Sequence, residues 1–396
     1  MRARLSRMPP RNTVGHSAPD LDELSRQLGI ALGTEDATGK MRIAMVSVQA
    51  NPLAERTGQG AHVAELCAGL SSAGHEVVVH TRRDDPASPA RAGTDEGYEV
   101  VHVSAGPARP LTEDELVAHL GGFAEFLTRQ WRTRPPDVVH AHHWTSGLVA
   151  VIAAHRLRVP VVLSYHGFGD PEEDHRCRTE ALLAREAAWF IATSAAEAGR
   201  LCRMGVRRSH LSVVPSGVDS AFFTPDGPVE VQDGRARVVV TGELSPSGHS
   251  AAVGAVLSTV DHVELMSAND IARVDRPAVL RSADVAVCAP AEEGYGIAVL
   301  EAMACGLPVV ATAVGALNDI VLPGVTGQLV PPHDSRRLAR SLKSLLDDET
   351  QRERYGMAAR DRVAGRYSRR RLADETLAVY GRAAGDRALT RPVRRG

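Results

Sequence analysis

From Met41 onward the chain alternates short apolar runs with amphipathic stretches, and it does so twice, on either side of a Pro/Gly/Asp-rich segment at residues 224–234. The first run, Met41-Arg-Ile-Ala-Met-Val-Ser-Val, is of the kind expected for a buried parallel strand. Residues 62–73 then have helical spacing, with Val63, Leu66 and Leu70 on one face and Gly74 as the stop. Further strands are expected at 76–80, 99–103, 137–140, 159–164 and 190–194. Helices are expected at 113–132 (weakened by Gly121-Gly122), 146–156 and 178–189. This order implies an α/β chain with doubly wound parallel sheets. A second unit opens at Val238-Val239-Val240-Thr241-Gly242 and continues through a helix at 336–346.

The expected organisation is a loose extension over 1–40, with Met41 a candidate natural start, and a first domain over 41–223. A linker follows at 224–234, then a second domain at 235–366, a closing helix within 367–383 and a tail over 384–396. A chain of 396 residues is natural for two domains of ordinary size. With 43% hydrophobic and 24% charged residues it reads as an ordered globular protein, and a net charge of −2 gives no footprint for nucleic acid. The five cysteines are scattered and form no C-x-x-C pair, which argues against a disulfide framework or zinc ribbon and predicts a reducing, cytoplasmic setting. No apolar run reaches the length of a membrane span, and no signal peptide is visible. Peripheral membrane contact stays open.

Chemistry concentrates in Ala291–Pro308. Glu293 and Glu301 stand eight positions apart. Between them Gly294-Tyr295-Gly296 leads into a helical pattern (Ile297, Leu300, Ala304) that stops at Gly306-Leu307-Pro308. Glu293 is therefore expected at the helix mouth and Glu301 one turn inside. Carboxylates bind vicinal hydroxyls, and helix-mouth amides seat an anion. Two hydroxyl clamps around a phosphate seat suit a sugar nucleotide.

Other segments offer candidate sites. Thr57-Gly58-Gln59-Gly60-Ala61-His62 opens a helix, and Gly58 and Gly60 would let backbone approach a ligand. A dinucleotide fingerprint fits poorly, because Ala-His-Val follows where x-x-Gly is needed. His166, in Ser164-Tyr165-His166-Gly167, sits at the carboxyl end of a strand, where α/β folds place ligands. His140 and His142 alternate along Val139–Trp144 and could face one side. They lack acid or cysteine partners at ligand spacing, so no metal is expected.

The Glu293–Glu301 segment closely resembles the Glu-x7-Glu motif of retaining GT-B glycosyltransferases of family 4 (glycosyl transferases group 1), which includes sucrose-phosphate-synthase-like and mannosyl- or GlcNAc-transferring enzymes. Val213-Val214-Pro215-Ser216-Gly217-Val218-Asp219 resembles the family's pre-linker turn, and the resemblance spans about residues 41–383. It implies a GT-B fold: two Rossmann-like domains facing across a cleft, the C-terminal one here shortened. It also implies a UDP- or GDP-sugar donor, an unknown acceptor hydroxyl, and neither cofactor nor metal. By the same resemblance Glu301 clamps ribose, Glu293 and His166 contact the transferred hexose, and the Gly296 and Ile297 amides hold phosphate. Tyr295 belongs to the same donor set. Gly58 and Gly60 lie on the loop over diphosphate and acceptor, with Thr57 in place of a first glycine.

The pattern departs in the second domain. Where the family carries Gly-Arg-Leu-x-x-x-Lys-Gly, this chain has Gly242-Glu243-Leu244-Ser245-Pro246-Ser247-Gly248-His249. Glu243 and Gly248 thus replace the cations expected against the donor diphosphate. A carboxylate about 5 Å from a phosphate charge costs roughly 3 kcal/mol at an effective dielectric near 20. Only about forty residues separate Gly242 from Ser282, room for one helix (251–259) and one strand (263–266). These departures motivate an alternative, a catalytically impaired homologue acting as a binding or regulatory partner. A dinucleotide-dependent oxidoreductase is a further rival without a fingerprint.

Overall fold

The computed structural model describes residues 39–54, 58–166, 174–231, 235–244, 263–268 and 271–389, and both of its sheets lie in one compact unit, Met41–Gly396. The N-terminal lobe is built on β1 (Arg42–Val46), β2 (Glu76–Arg82), β3 (Arg91–Gly93), β4 (Glu99–Val103), β5 (Val138–His142), β6 (Val161–Ser164), β7 (Trp189–Ala192) and β8 (Leu211–Val213). Their order across the sheet is β3-β4-β2-β1-β5-β6-β7-β8, all parallel except β3 against β4. The C-terminal lobe has β9 (Ala236–Leu244), β10 (Val263–Ser267), β11 (Val285–Ala289), β12 (Val309–Thr312) and β13 (Gly327–Val330), ordered β10-β9-β11-β12-β13 and wholly parallel. β5, β11 and β12 are buried at every position, as strands covered on both faces must be.

Helices cover those faces. In the first lobe they are α1 (Gly58–Ser72), α2 (Glu113–Val117), α3 (Leu120–Thr133), α4 (Trp144–Ala154), α5 (Asp174–Glu186) and α6 (Ala195–Arg203). In the second they are α7 (Arg276–Arg281), α8 (Ile297–Ala304), α9 (Leu317–Ile320), α10 (Ser335–Asp347) and α11 (Glu349–Arg366), followed by α12 (Arg369–Leu389). The stretch expected as one helix over 113–132 is two. Thr112 caps α2 in a capping box with Glu115, and the chain breaks at Ala118–His119, while Gly121-Gly122 lie inside α3.

The last helix returns to the first lobe. Val218 and Ser368 pair as a bridge, with Val218 N–H donating to Tyr367 O at 2.9 Å and Arg369 N–H to Val218 O at 2.9 Å. A Cβ on Gly217 would meet Ser368 O at 2.8 Å, so this crossing requires glycine. Leu372, Ala373, Val379 and Tyr380 of α12 then enter the core beneath β1 and β2. Tyr380 OH reaches His140 Nδ1 at 2.8 Å.

Each sheet has one place where strand order reverses. In the first it lies between β1 and β5, in the second between β9 and β11. Doubly wound sheets bind ligands outside the carboxyl ends of strands at such a reversal. The residues there are His142 and its neighbours in one lobe, and the segment leaving β11, residues 290–296, in the other.

Candidate active site

The motif leaves β11 at Ala289 and turns into α8 at Gly296. Gly296 has φ +68, and a Cβ there would lie 2.2 Å from Ile320 Cδ1, so only glycine fits. Glu293 folds back over this turn, its Oε1 accepting from the N–H groups of Tyr295 and Gly296, each at 2.9 Å. This corrects the expectation for Gly296: its amide is held by the chain's own carboxylate. A helix mouth favours an anion, and Glu293 supplies one.

Glu301 is buried and ion-paired, its Oε2 2.6 Å from Arg276 Nη1. Burial pushes its carboxyl above the usual range, while Arg276 and the more distant Arg273 pull it down. Glu301 and Ile297 line a cavity of about 400 Å³ with Glu65, Arg273 and Arg369. Glu65, on α1, pairs with Arg273 at 2.5 Å and Arg369 at 2.7 Å, so it ties the second lobe's cation to the first. Glu293 and Tyr295 line a separate cavity of about 490 Å³ with His166, Thr193, Glu197 and Asn318. The two acids of the motif thus serve different cavities, with the helix mouth between them.

His166 follows β6 at φ +45, an unusual backbone for a non-glycine residue. Glu197 holds it there: Oε1 accepts the His166 N–H at 3.0 Å, while Oε2 takes Thr193 N–H at 2.6 Å and its hydroxyl at 2.7 Å. The His166 ring stacks on His142 at 5.4 Å and meets Tyr295 at 4.6 Å between centroids. Its Nδ1 is buried without a hydrogen-bond partner among the described residues. The lobes also bond directly, the one Thr193 hydroxyl hydrogen being shared between Glu197 Oε2 and Gly294 O, 2.7 Å from each, and Ala195 N–H donating to Asp319 Oδ2 at 2.9 Å.

Gly58 and Gly60 are not on a loop. They lie in the first turn of α1, Gly58 exposed at φ +59 and Gly60 buried. The side chain between them, Gln59, reaches Ser47 Oγ at 3.1 Å and His142 O at 3.4 Å. Thr57, Gly248 and the helix expected at 251–259 fall outside the described residues, as does the side chain of Glu243. Sequence spacing gave no signal for His62, Glu197 or Arg276, because each acts through a partner distant in the chain.

Comparison with known proteins follows the same outline. A model described as Glycosyltransferase Family 4 matches residues 56–222, and one described as Glycosyl transferases group 1 matches residues 259–362. The D-inositol 3-phosphate glycosyltransferase of Kineococcus radiotolerans is 33% identical over 423 residues, covering 88% of this chain and 97% of that protein. The chain belongs to glycosyltransferase family 4. Membership makes it a retaining glycosyltransferase dependent on nucleotide sugars. The Kribbella flavida protein of the same description is 31% identical, with 86% and 95% covered. The family's GT-B fold is seen in sucrose-phosphate synthase from Thermosynechococcus elongatus, with a TM-score of 0.76 at 23% identity over 88% of this chain and 100% of that one. Anabaena HepE in complex with UDP and glucose superposes with a TM-score of 0.65 at 17% identity over 86% and 99%. No helix among the described residues is long and apolar enough to cross a membrane.

Proposed function

We propose that this chain moves a hexosyl group from a nucleotide-diphospho-sugar to an acceptor hydroxyl, with the donor lying along the α8 mouth. Nucleoside occupies the cavity at Glu301, whose carboxylate takes the ribose hydroxyls. Phosphate sits on the Ile297 amide. The hexose enters the cavity at Glu293, where Oε2 accepts from its hydroxyls. The observation that carries the reading is His166 Nδ1, a buried nitrogen with no hydrogen-bond partner among the described residues, on a residue lining that cavity. Leaving such an atom unsatisfied costs about 1–3 kcal/mol, which a sugar hydroxyl would recover. Retention follows from same-face attack: the anomeric C–O bond to phosphate breaks, the acceptor oxygen bonds from that face, and the departing phosphate takes its proton. Cationic help on the donor side comes from Arg273, which lines the nucleoside cavity.

Calorimetry with UDP-, GDP- and ADP-sugars should show micromolar binding of one donor class, with turnover on an acceptor screen that includes D-inositol 3-phosphate, the substrate named for the relatives. His166→Ala is expected to lower kcat/KM by about 10²-fold or more while the nucleoside diphosphate alone binds unchanged. Unaltered turnover in that variant would remove His166 from the reaction. The second reading, an impaired homologue, rests on Glu243 and Gly248. It predicts no binding of any nucleotide sugar, and affinity restored by Glu243→Arg with Gly248→Lys.

Gly315 gives a separate test of the motif's placement. It has φ +45, a Cβ on it would lie 1.8 Å from Glu293 O, and the adjacent Ala316 N–H donates to that oxygen at 3.0 Å. Gly315→Ala must therefore push the Glu293 turn away. We expect kcat/KM to fall about 10²-fold, as for a displacement near 1 Å, with a stability loss of about 1–3 kcal/mol. Wild-type kinetics in a folded Gly315→Ala protein would show that the turn's position does not matter.

A further inference from the structure

We infer that Glu197 is a positioning residue for the transfer step: it fixes the backbone of His166 so that the imidazole faces the hexose, and through Thr193 it ties that placement to the turn carrying Glu293. This role presupposes the reaction proposed above; the geometry behind it does not. A φ of +45 is kept by a residue with a Cβ only where its surroundings impose it. At His166 the imposing group is the Glu197 carboxylate, 3.0 Å from the backbone nitrogen.

Glu197 stands in the first turn of α6, where Ser194 is the N-cap and its Oγ accepts the Glu197 N–H at 3.2 Å. In a capping box the acid at this position turns back to the N-cap N–H. Here it reaches past Ser194 to Thr193, which follows β7, and across to His166, which follows β6. One side chain thus sets the spacing of the chains leaving two paired strands. Only donors face it: the His166 N–H, the Thr193 N–H and the Thr193 hydroxyl. A carboxylate can accept all of them, whereas an amide of the same shape must set an NH₂ against a backbone N–H. Burial pushes the Glu197 carboxyl up, and the bonds from Thr193 and His166, with the Arg200 charge, oppose that shift.

The second lobe meets the same residues. The Thr193 hydroxyl is shared with Gly294 O, next to Glu293 in the motif turn, and Ala195 N–H is held by Asp319. His166, Thr193 and Glu197 line one side of the hexose cavity, and Glu293 and Gly294 the other. None of these five lines the cavity at Glu301. Glu197 therefore acts on the hexose end of the donor through His166, and leaves the nucleoside end alone.

Glu197→Gln should lower kcat/KM about 10²-fold, as for a displacement near 1 Å, while nucleoside diphosphate alone binds as to the wild type. Made in His166→Ala, the same substitution should cost no more than about twofold, because nothing is left for it to position. A structural role alone would give the full loss in both backgrounds. Thr193→Val removes one donor and keeps both backbone bonds. It should repeat the pattern at about two- to tenfold, again only in protein that retains His166. Protein labelled with ¹⁵N-histidine reads the bond without catalysis. The wild-type His166 amide, donating to a carboxylate, should resonate at the low-field edge of the histidine amides, and it should move farther than any other in Glu197→Gln. Equal losses with and without His166, or a His166 amide without that low-field position, would overturn the proposal. A wild type that binds no nucleotide sugar would count against the transfer reaction instead, and the amide resonance would still decide whether Glu197 holds His166.

Discussion

Arg276→Met is expected to lower the unfolding free energy by about 3–5 kcal/mol at neutral pH, because it strips the cation from a buried carboxylate. The Arg276 and Glu301 side chains are 3% and 4% exposed, and their bond is 2.6 Å. Removing both charges has a different effect. Arg276→Met with Glu301→Leu should return to within about 1–2 kcal/mol of the wild type, since two desolvated ions give way to packed apolar groups. The Arg276 Nε and Nη2 atoms are buried with no hydrogen-bond partner among the described residues, so the pair is not arranged for stability alone. Thermal and urea unfolding measure the first two quantities. The double variant then asks the functional question in a folded protein: if Glu301 grips ribose, affinity for nucleoside diphosphate falls at least about tenfold. A single variant as stable as the wild type would mean that water reaches Glu301. Unchanged nucleotide affinity in the double variant would remove its ribose role.

Much of this architecture could be read from residue order. Apolar runs such as Val285–Ala289 and Val309–Ala311 have no polar face to offer water, so a parallel sheet covered on both sides follows directly. The Glu293–Glu301 segment was equally plain, because glycines, helix spacing and both acids fall within one stretch. What stayed hidden depends on long-range placement. His62 reads as the end of a glycine-containing loop; only α1 packing against the β1–β5 reversal brings it to His142 and His166. Glu65 is one more helical glutamate until α7's approach and the return of α12 deliver Arg273 and Arg369 to it. Expecting Gly58 and Gly60 on a loop failed for a local reason. Two glycines disfavour a helix interior, yet in the first turn that cost is small, and Gln59 anchors the turn to Ser47.

The largest pH effect expected is acid unfolding well above the range where carboxylate titration alone would act. Burial lowers His62 and His80 to about 4, His143 to about 4 and His140 to about 3, with His142 and His166 also well below ordinary values. An unfolded histidine takes its proton near pH 6.5. Below that pH the unfolded chain binds protons that the folded one refuses, so stability is fully present above about 6.5 and is lost as pH falls toward 4. For a single group displaced from 6.5 to about 4, the loss between pH 7 and pH 4.5 is about 2–3 kcal/mol. Glu197 and Glu301, raised by burial, act in the opposite direction, but six histidines outnumber two carboxylates. Three such losses match the whole stability of an ordinary domain, about 5–15 kcal/mol. Circular dichroism should therefore show cooperative unfolding with a midpoint above about pH 4, and potentiometry an uptake of several protons across it. His80 isolates the cause: it packs on Trp131 at 5.9 Å, apart from the cleft, with Nδ1 3.4 Å from Met45 O. His80→Leu should move the midpoint to lower pH without altering donor binding. A protein that stays folded at pH 3, or whose unfolding takes up no protons, would mean that water already reaches these rings.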